Sequence, residues 1–320
     1  MAVTDRSEAR ARLGQGLAGV LPADRIAADV PMRLHTSFRI GGPADFLVTV
    51  VAAAELTAVL GCCRRLGAPF LVLGRGTNLL VRDGGVRGVV IRLAGEFADV
   101  SVDREKVVSG AAVGLGDLAG ECGRQGLTGL EFAVGIPGTV GGAIIMNAGA
   151  YGSEMKDVAE AATVIRPEDL VTETRPASTL EFGYRTSRPQ REGWIVISAR
   201  LGLRKGDPVA IREREADFTA RRRNRQPSDL PSAGSVFKRP EGHFAGPLID
   251  RAGCRGLRVG DAQVSELHAG FIVNLGAATA RDVLTLIDAV GKAVEASAGV
   301  RLEPEIRIVG EDSGQGTGGR

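Results

Sequence analysis

Cysteine is scarce: the 320 residues contain four, Cys62, Cys63, Cys122 and Cys254. Their spacing fits no metal-ligand motif, and an adjacent pair makes a poor disulfide, so neither a metal nor a cross-link is expected. A reducing, cytoplasmic setting is the simplest home. Long apolar runs are missing as well. Stretches such as Ala143–Met146 are far too short to span a bilayer. Met1 to Arg12 is charged and lacks the apolar segment of a secretory leader. No sign of charge dominates: 40 Lys and Arg against 38 Asp and Glu leave a net charge of +2 at pH 7. No global field therefore draws the chain to nucleic acid or membrane.

What is present is an ordinary globular composition, 44% hydrophobic and 24% charged. The length is enough for two domains or one large one with an ample core. The chain is organised around GIPGTVGGAIIMNAGAYG (135–152), with glycine at six positions and no charged side chain. Glycine lacks a Cβ and tolerates positive φ, so its backbone can approach a ligand and aim N–H groups at it. A large, partly apolar ligand with an anionic portion suits such a segment, and a nucleotide with a pyrophosphate fits. An ordinary glycine-rich turn is the plainer alternative.

The flanking pattern is mixed α and β. Residues 1–30 read as a charged helical arm with turns near Pro22. The turn Gly41-Gly-Pro43 leads into a strand at 44–51. Residues 52–66 have helical periodicity and stop at Gly67. A strand at 69–73 runs into a second glycine turn, GRGTNLL (74–80), whose N–H groups, hydroxyl and amide suit phosphate oxygens. Strands are expected at 88–93, 97–102 and 106–112. Gly114-x-Gly-x-x-Ala119 imitates a dinucleotide fingerprint. Asp117, however, would fall where the pyrophosphate sits, and no alternating β-α-β units precede it. Segments 158–166, 171–175 and 194–203 read as strands of one antiparallel sheet. Residues 207–225 form a charged helix ending in Arg221-Arg-Arg-Asn-Arg225. That end reads as cations complementing the helix dipole, with one arginine in reach of an anionic substrate. After a linker at 227–231 come a helix at 246–253, strands at 257–264 and 268–274, and an amphipathic helix at 279–297. In that helix Val283, Leu286, Ile287, Val290 and Val294 share a stripe. Residues 300–309 read as an edge strand, with Arg301, Glu303, Glu305 and Arg307 on one face. The tail 310–320 has no apolar residues and is expected to be disordered.

Seven segments in order resemble one family: HTSFRIGG (35–42), LGRGTNLLV (73–81), GLEFAVGIPGTVGGAIIMNAGAYG (129–152), FGYRTS (182–187), PSAGSVFKRP (231–240), HAGFIVN (268–274) and LEPEIR (302–307). Together they are similar to UDP-N-acetylenolpyruvoylglucosamine reductases, flavoenzymes that complete UDP-N-acetylmuramate in peptidoglycan synthesis. The resemblance implies an α+β fold: a two-subdomain FAD-binding module of the vanillyl-alcohol-oxidase (PCMH) type and a smaller α/β substrate-binding domain. The expected division is an arm at 1–30, the FAD module at 31–205 (subdomains 31–93 and 94–205), the substrate domain at 206–309, and the tail. FAD held noncovalently, NADPH as reductant and the enolpyruvyl sugar nucleotide as substrate are implied, in a monomeric protein.

The resemblance also assigns residues. Arg185, Ser235 and Glu305 fall on the catalytic positions. FAD contacts fall on Gly74, Arg75, Gly76, Thr77, Asn78 and Leu79, on Gly135, Ile136, Pro137, Gly138, Gly141, Gly142, Ala143, Asn147, Gly149 and Ala150, and on Arg39. Substrate contacts fall on Tyr184, Arg225, Lys238, Arg239 and His268. Little room for an inserted subdomain lies between Arg185 and the arginine-rich helix. The chain therefore resembles the shorter subtype, without the tyrosine loop that closes over substrate. The reaction explains the residue types. Hydride addition to an enol ether that bears a carboxylate builds a dianionic enolate. A guanidinium at 185 would stabilise it at any working pH. Glu305 would help only as a protonated acid, and Ser235 would return the proton. Two rivals stand beside this reading. One is an oxidase of the same fold; it is disfavoured because only three histidines exist and no cysteine lies in a glycine loop to tether flavin. The other is a non-enzymatic nucleic-acid binder using Arg221–Arg225, whose cluster lacks interleaved aromatics.

Overall fold

The computed structural model describes residues 3–313. Three larger sheets carry the fold. The first, in spatial order, is Ile26–Pro31, Pro43–Val50, Val86–Leu93 and Phe70–Leu73. The second is Thr172–Pro176, Ala159–Ile165, Ile195–Gly202, Lys106–Gly110 and Val100–Asp103. The third is Ser232–Ser235, Phe271–Asn274, Ala262–Val264 and Arg258–Val259. The fold is thus α+β, as the resemblance implies.

The chain divides into two compact units that interleave along the sequence. One contains the N-terminal helix, Leu47–Gly74 and Gly88–Arg222; the other contains Ala28–Phe46, Arg75–Arg87 and the described residues from Arg223 onward. The sequence-based division at 30 and 205 is linear and does not reproduce this exchange of segments.

In the first unit the helix Val3–Ala18 packs on the helix Ala53–Leu66. It is no free arm. Leu13, Leu17 and Leu21, four residues apart, form a buried stripe inside an otherwise charged segment. Helix Ala53–Leu66 stops at Gly67, whose φ of 62° supplies the left-handed cap. Strand Phe70–Leu73 then pairs parallel with residues 89–92. The five-stranded sheet is antiparallel, with Ala159–Ile165 between Thr172–Pro176 and Ile195–Gly202. Its buried face, including Val107, Val164, Val196 and Leu201, packs with Leu115 and Leu118 of helix Leu115–Arg124 and Val140 and Ile144 of helix Val140–Met146. Burying each such side chain contributes about 1.5–3 kcal/mol. The strand expected at 97–102 begins later, because Gly95–Ala98 is a single 3-10 turn that buries Phe97. The fingerprint imitation at Gly114 is a packing feature. Leu115 N–H donates to the Gly138 carbonyl, so protein already occupies that helix start.

In the second unit helix Ala280–Ala298 buries Val283, Leu286, Ile287, Val290 and Val294 together with Leu248 and Ile249 of helix Ala245–Arg251. It opens with a capping box: Thr279 Oγ1 accepts from Asp282 N–H at 3.1 Å, and Asp282 accepts from Thr279 N–H at 2.9 Å. Such caps contribute about 1 kcal/mol. The segment 257–264 is a hairpin of two short strands, turned at Gly260 with φ 54°. Strand Arg307–Val309 pairs parallel with Leu79–Val81. Residues 300–306 are not part of it. Pro304 makes an isolated bridge with Phe237, and the alternation fails there: Arg301, Glu303 and Arg307 are exposed while Glu305 is half-buried. The tail expected to be disordered from 310 begins with order. Glu311 bridges Gly85, and Asp312 lies 2.5 Å from Arg82. Residues 314–320 of that expectation lie outside the described residues.

Candidate functional site

In the first unit the glycine segment is built around Asn147. It follows helix Val140–Met146 in the left-handed conformation, with φ 43°, and is fully buried. Its Nδ2 donates to Glu154 Oε2 at 2.7 Å and to the Gly183 carbonyl at 3.0 Å. Its Oδ1 accepts from Lys156 N–H at 2.9 Å. One amide therefore fastens the short hairpin of Gly149–Ala150 with Ser153–Glu154 and the loop that carries Tyr184 and Arg185. Asn147 is thus a positioning residue, with its polar atoms spent on protein.

That loop is a tight turn closed by reciprocal bonds between Gly183 and Thr186. Arg185 sits at its apex with φ 56°, a conformation uncommon for a bulky residue and worth a functional explanation. Its Nη2 donates to the Gly149 carbonyl at 3.4 Å, and its guanidinium lies 5.1 Å from the half-exposed Tyr184 ring. The structure thus brings Arg185 and Tyr184 to the glycine segment, a proximity that spacing along the chain does not reveal.

The glycines of the segment differ in role. Gly135 and Gly142 are exposed, with φ 74° at Gly135. Gly141 is buried, and a Cβ there would meet Ala111 Cβ at 2.8 Å. It is needed for packing, not as open backbone. Gly149 is taken up in the hairpin. Ile136 and Gly138 spend their N–H groups on Ala133 and Ile136 carbonyls, and Ala143 points into the core. Pro137 has no N–H to give. Ala150 is half-buried. Gly74 lies against the glycine segment, where a Cβ would stand 2.8 Å from Thr139 Oγ1. Thr139, which sequence reasoning missed, caps helix Val140–Met146 by accepting from Gly142 N–H.

In the second unit Gly76, with φ 63°, is wedged against the backbone of His35 and Thr36. The N–H groups of Gly76 and Thr77 donate to no protein group among the described residues. Asn78 Nδ2 donates to the Glu305 carbonyl at 3.3 Å. Leu79 points into the core from its strand. Arg39 is exposed, with φ 54°, and Arg75 is exposed in the turn. The free amides at Gly76 and Thr77 suit phosphate oxygens.

Ser235 and Glu305 are brought together in this unit. Glu305 N–H donates to the Val236 carbonyl at 2.7 Å, and Lys238 N–H donates to the Glu303 carbonyl at 2.8 Å. The 303–305 segment therefore runs beside 236–238. Gly234, with φ 79°, kinks the strand just before Ser235, and the register shifts between Ser232 and Ser235. The half-buried Ser235 hydroxyl has no protein partner among the described residues. Lys238 Nζ pairs with Glu303 at 3.2 Å, Arg239 lies over Phe244 at 4.5 Å, and Arg225 is exposed. His268 holds a turn through one ring nitrogen. Its Nδ1 accepts from Gly270 N–H at 3.1 Å, and its ring fills the space that side chains at Gly246 and Gly270 would need. Burial holds its pKa below the ordinary histidine value. It shapes the turn before Phe271. The signal was in the sequence, since glycine two residues after histidine permits that contact.

Open amides at Gly76 and Thr77, and an arginine held in the left-handed conformation on the glycine segment of the other unit, suit a nucleotide-binding protein. Comparison with known proteins agrees. Residues 44–175 match an FAD binding domain, and residues 226–309 match the C-terminal domain of UDP-N-acetylenolpyruvoylglucosamine reductase. The reductase of that name from Alkaliphilus oremlandii is 48% identical over 93% of this chain and 98% of its own length. A second, from Symbiobacterium thermophilum, is 49% identical over 90% of this chain and 93% of its own. The crystal structure of the Thermus caldophilus reductase matches with a TM-score of 0.76 at 43% identity, over 87% of this chain and 97% of that one. The chain belongs to the UDP-N-acetylenolpyruvoylglucosamine reductase family, flavoprotein oxidoreductases of peptidoglycan precursor synthesis that use FAD and NADPH.

Proposed function

We propose that this chain reduces the enolpyruvyl ether of UDP-N-acetylglucosamine to UDP-N-acetylmuramate, with NADPH as the electron source and FAD held without a covalent bond. It works as a cytoplasmic monomer of the shorter subtype, without a separate tyrosine loop. FAD, when bound, supplies the hydride that reaches the terminal enolpyruvyl carbon. The observation that carries the reading is Arg185, held in a left-handed apex and bonded to the glycine segment that matches an FAD binding domain.

Each residue then has a task. Arg185 binds the substrate carboxylate and offsets the charge that grows as the enolate forms. Loss of one such donor costs roughly 2.7–4 kcal/mol of barrier. Ser235 gives its hydroxyl proton to the enolate carbon, which suits a hydroxyl not already spent on protein. Glu305, whose main chain is anchored to Val236 and Asn78, is the second acid acting on the enolate. Gly76 and Thr77 amides and the Gly135 backbone bind the cofactor, with Arg39 and Arg75 as outer cations. Tyr184, Arg225, Lys238 and Arg239 take the sugar nucleotide, and His268 keeps the strand before them in shape.

Steady NADPH consumption that requires the enolpyruvyl sugar nucleotide supports this reading. Oxygen uptake with a sugar alcohol would replace it with the oxidase. A colourless protein with strongly salt-dependent RNA binding would replace it with the nucleic-acid binder.

A further inference from the structure

The helix Pro208–Arg225 ends in five residues of which four are arginine, and the structure separates them. Arg221 pairs with Asp217 at 2.7 Å, and Arg223 and Arg225 are exposed. Arg222 alone turns inward. It shares a helix face with Phe218, four residues earlier. Phe218 stacks on Tyr151, with ring centroids 4.2 Å apart and planes within 2°, and the Tyr151 hydroxyl donates to the Phe218 carbonyl at 3.0 Å. One helical turn further on, the Arg222 side chain reaches the other end of the glycine segment. A Cβ on Gly135 would stand 3.2 Å from Arg222 Cδ and 4.0 Å from its Nε. The helix thus bridges both ends of the segment, at 135 and at 151.

Arg222 is half-buried and has no carboxylate, carbonyl or hydroxyl partner among the described residues. Burial pulls its pKa below the usual arginine range, with Tyr151 the nearby group acting the other way. Withdrawing a cation from water without a counter-charge is costly. Exposed glycine backbone beside such an arginine leaves room for a ligand to supply that counter-charge. We propose that Arg222 receives an anionic group of the nucleotide cofactor lying on residues 135–152; the inference rests on the FAD reading of that segment. Two parts of the cofactor have this chemistry: the diphosphate, negative at all times, and the pyrimidine edge of the flavin, negative once reduced.

The test uses the FAD-loaded protein and the variants Arg222→Met and Arg222→Lys, with the neutral Arg222→Gln as a second removal. FAD affinity and the flavin midpoint potential are measured for each. If the diphosphate is the partner, the Kd for oxidised FAD rises about 10–100-fold in the neutral variants and recovers in Arg222→Lys. If the flavin edge is the partner, that Kd is unchanged and the potential becomes more negative, again with recovery by lysine. Unchanged affinity and potential in both neutral variants, in a protein whose wild type holds FAD, overturn the role of Arg222 while the cofactor reading stands. A wild type that holds no FAD overturns both.

Discussion

Replacing Asn147 should damage the candidate site more than any single exposed residue. Asn147→Ala deletes three side-chain hydrogen bonds, to Glu154, Gly183 and Lys156. The bond to the Glu154 carboxylate is worth about 1.5–3 kcal/mol and each neutral one about 0.5–1.5. Glu154 keeps Lys156 at 2.9 Å, which favours the lower end of that range. Alanine must also adopt φ 43°, at a cost of roughly 1–2 kcal/mol that asparagine partly avoids. The expected loss is about 4 kcal/mol, a large share of the 5–15 typical of a domain. Asn147→Gly loses the same bonds without the backbone strain and should be about 1 kcal/mol less harmful. Urea unfolding of both variants, followed by far-ultraviolet circular dichroism and flavin release, reads these values. Because Gly183 loses its tether, flavin retention and turnover should fall together. A loss below about 1 kcal/mol in Asn147→Ala, or equal values for alanine and glycine, would refute the assignment of Asn147 as the clamp.

Ser235→Ala should still let NADPH bleach the flavin but slow product formation by about 10²–10⁴-fold, seen by stopped-flow absorbance; wild-type turnover would remove Ser235 as the proton donor. Glu215 has a raised pKa, from burial and then from neighbouring Glu131, and its Oε1 is buried without a partner. The native state therefore keeps that proton above the ordinary value of 4.5, where the unfolded chain releases it. Stability falls as pH rises through this window, and Glu215→Gln should flatten that fall and gain stability at neutral pH. Thermal unfolding at pH 4.5 and pH 7 checks it; an equal effect at both would count against it.

Much of the fold was legible because periodicity is local. The stripe Val283–Val294, the stop at Gly67 and the antiparallel strands 159–202 each follow from spacing within one segment. Leu13, Leu17 and Leu21 carried the same signal, but surrounding charge hid it. What the sequence withheld is long-range. The interleaving of the two units depends on pairings such as Leu79–Val81 with Arg307–Val309. Strand alternation put Glu305 on a solvated face with Arg301, Glu303 and Arg307; Pro304 breaks the alternation, and the half-burial of Glu305 follows from that break. The glycine segment was recognisable by composition, yet composition could not separate packing glycines such as Gly141 from open ones such as Gly135. Nor could it select Arg222 from its neighbours, since that choice is made by Phe218 against Tyr151. His268 matched a family segment, and its ring also holds a turn, because it fits the gaps at two glycines.

Electron transfer from a flavin on this chain to the enolpyruvyl group is the step to measure. The protein is reduced without oxygen by one equivalent of NADPH and then mixed with the enolpyruvyl sugar nucleotide, while flavin absorbance is followed. Flavin colour should return within the turnover time, with one UDP-N-acetylmuramate formed per flavin. A flavin that stays bleached until air is admitted would contradict it.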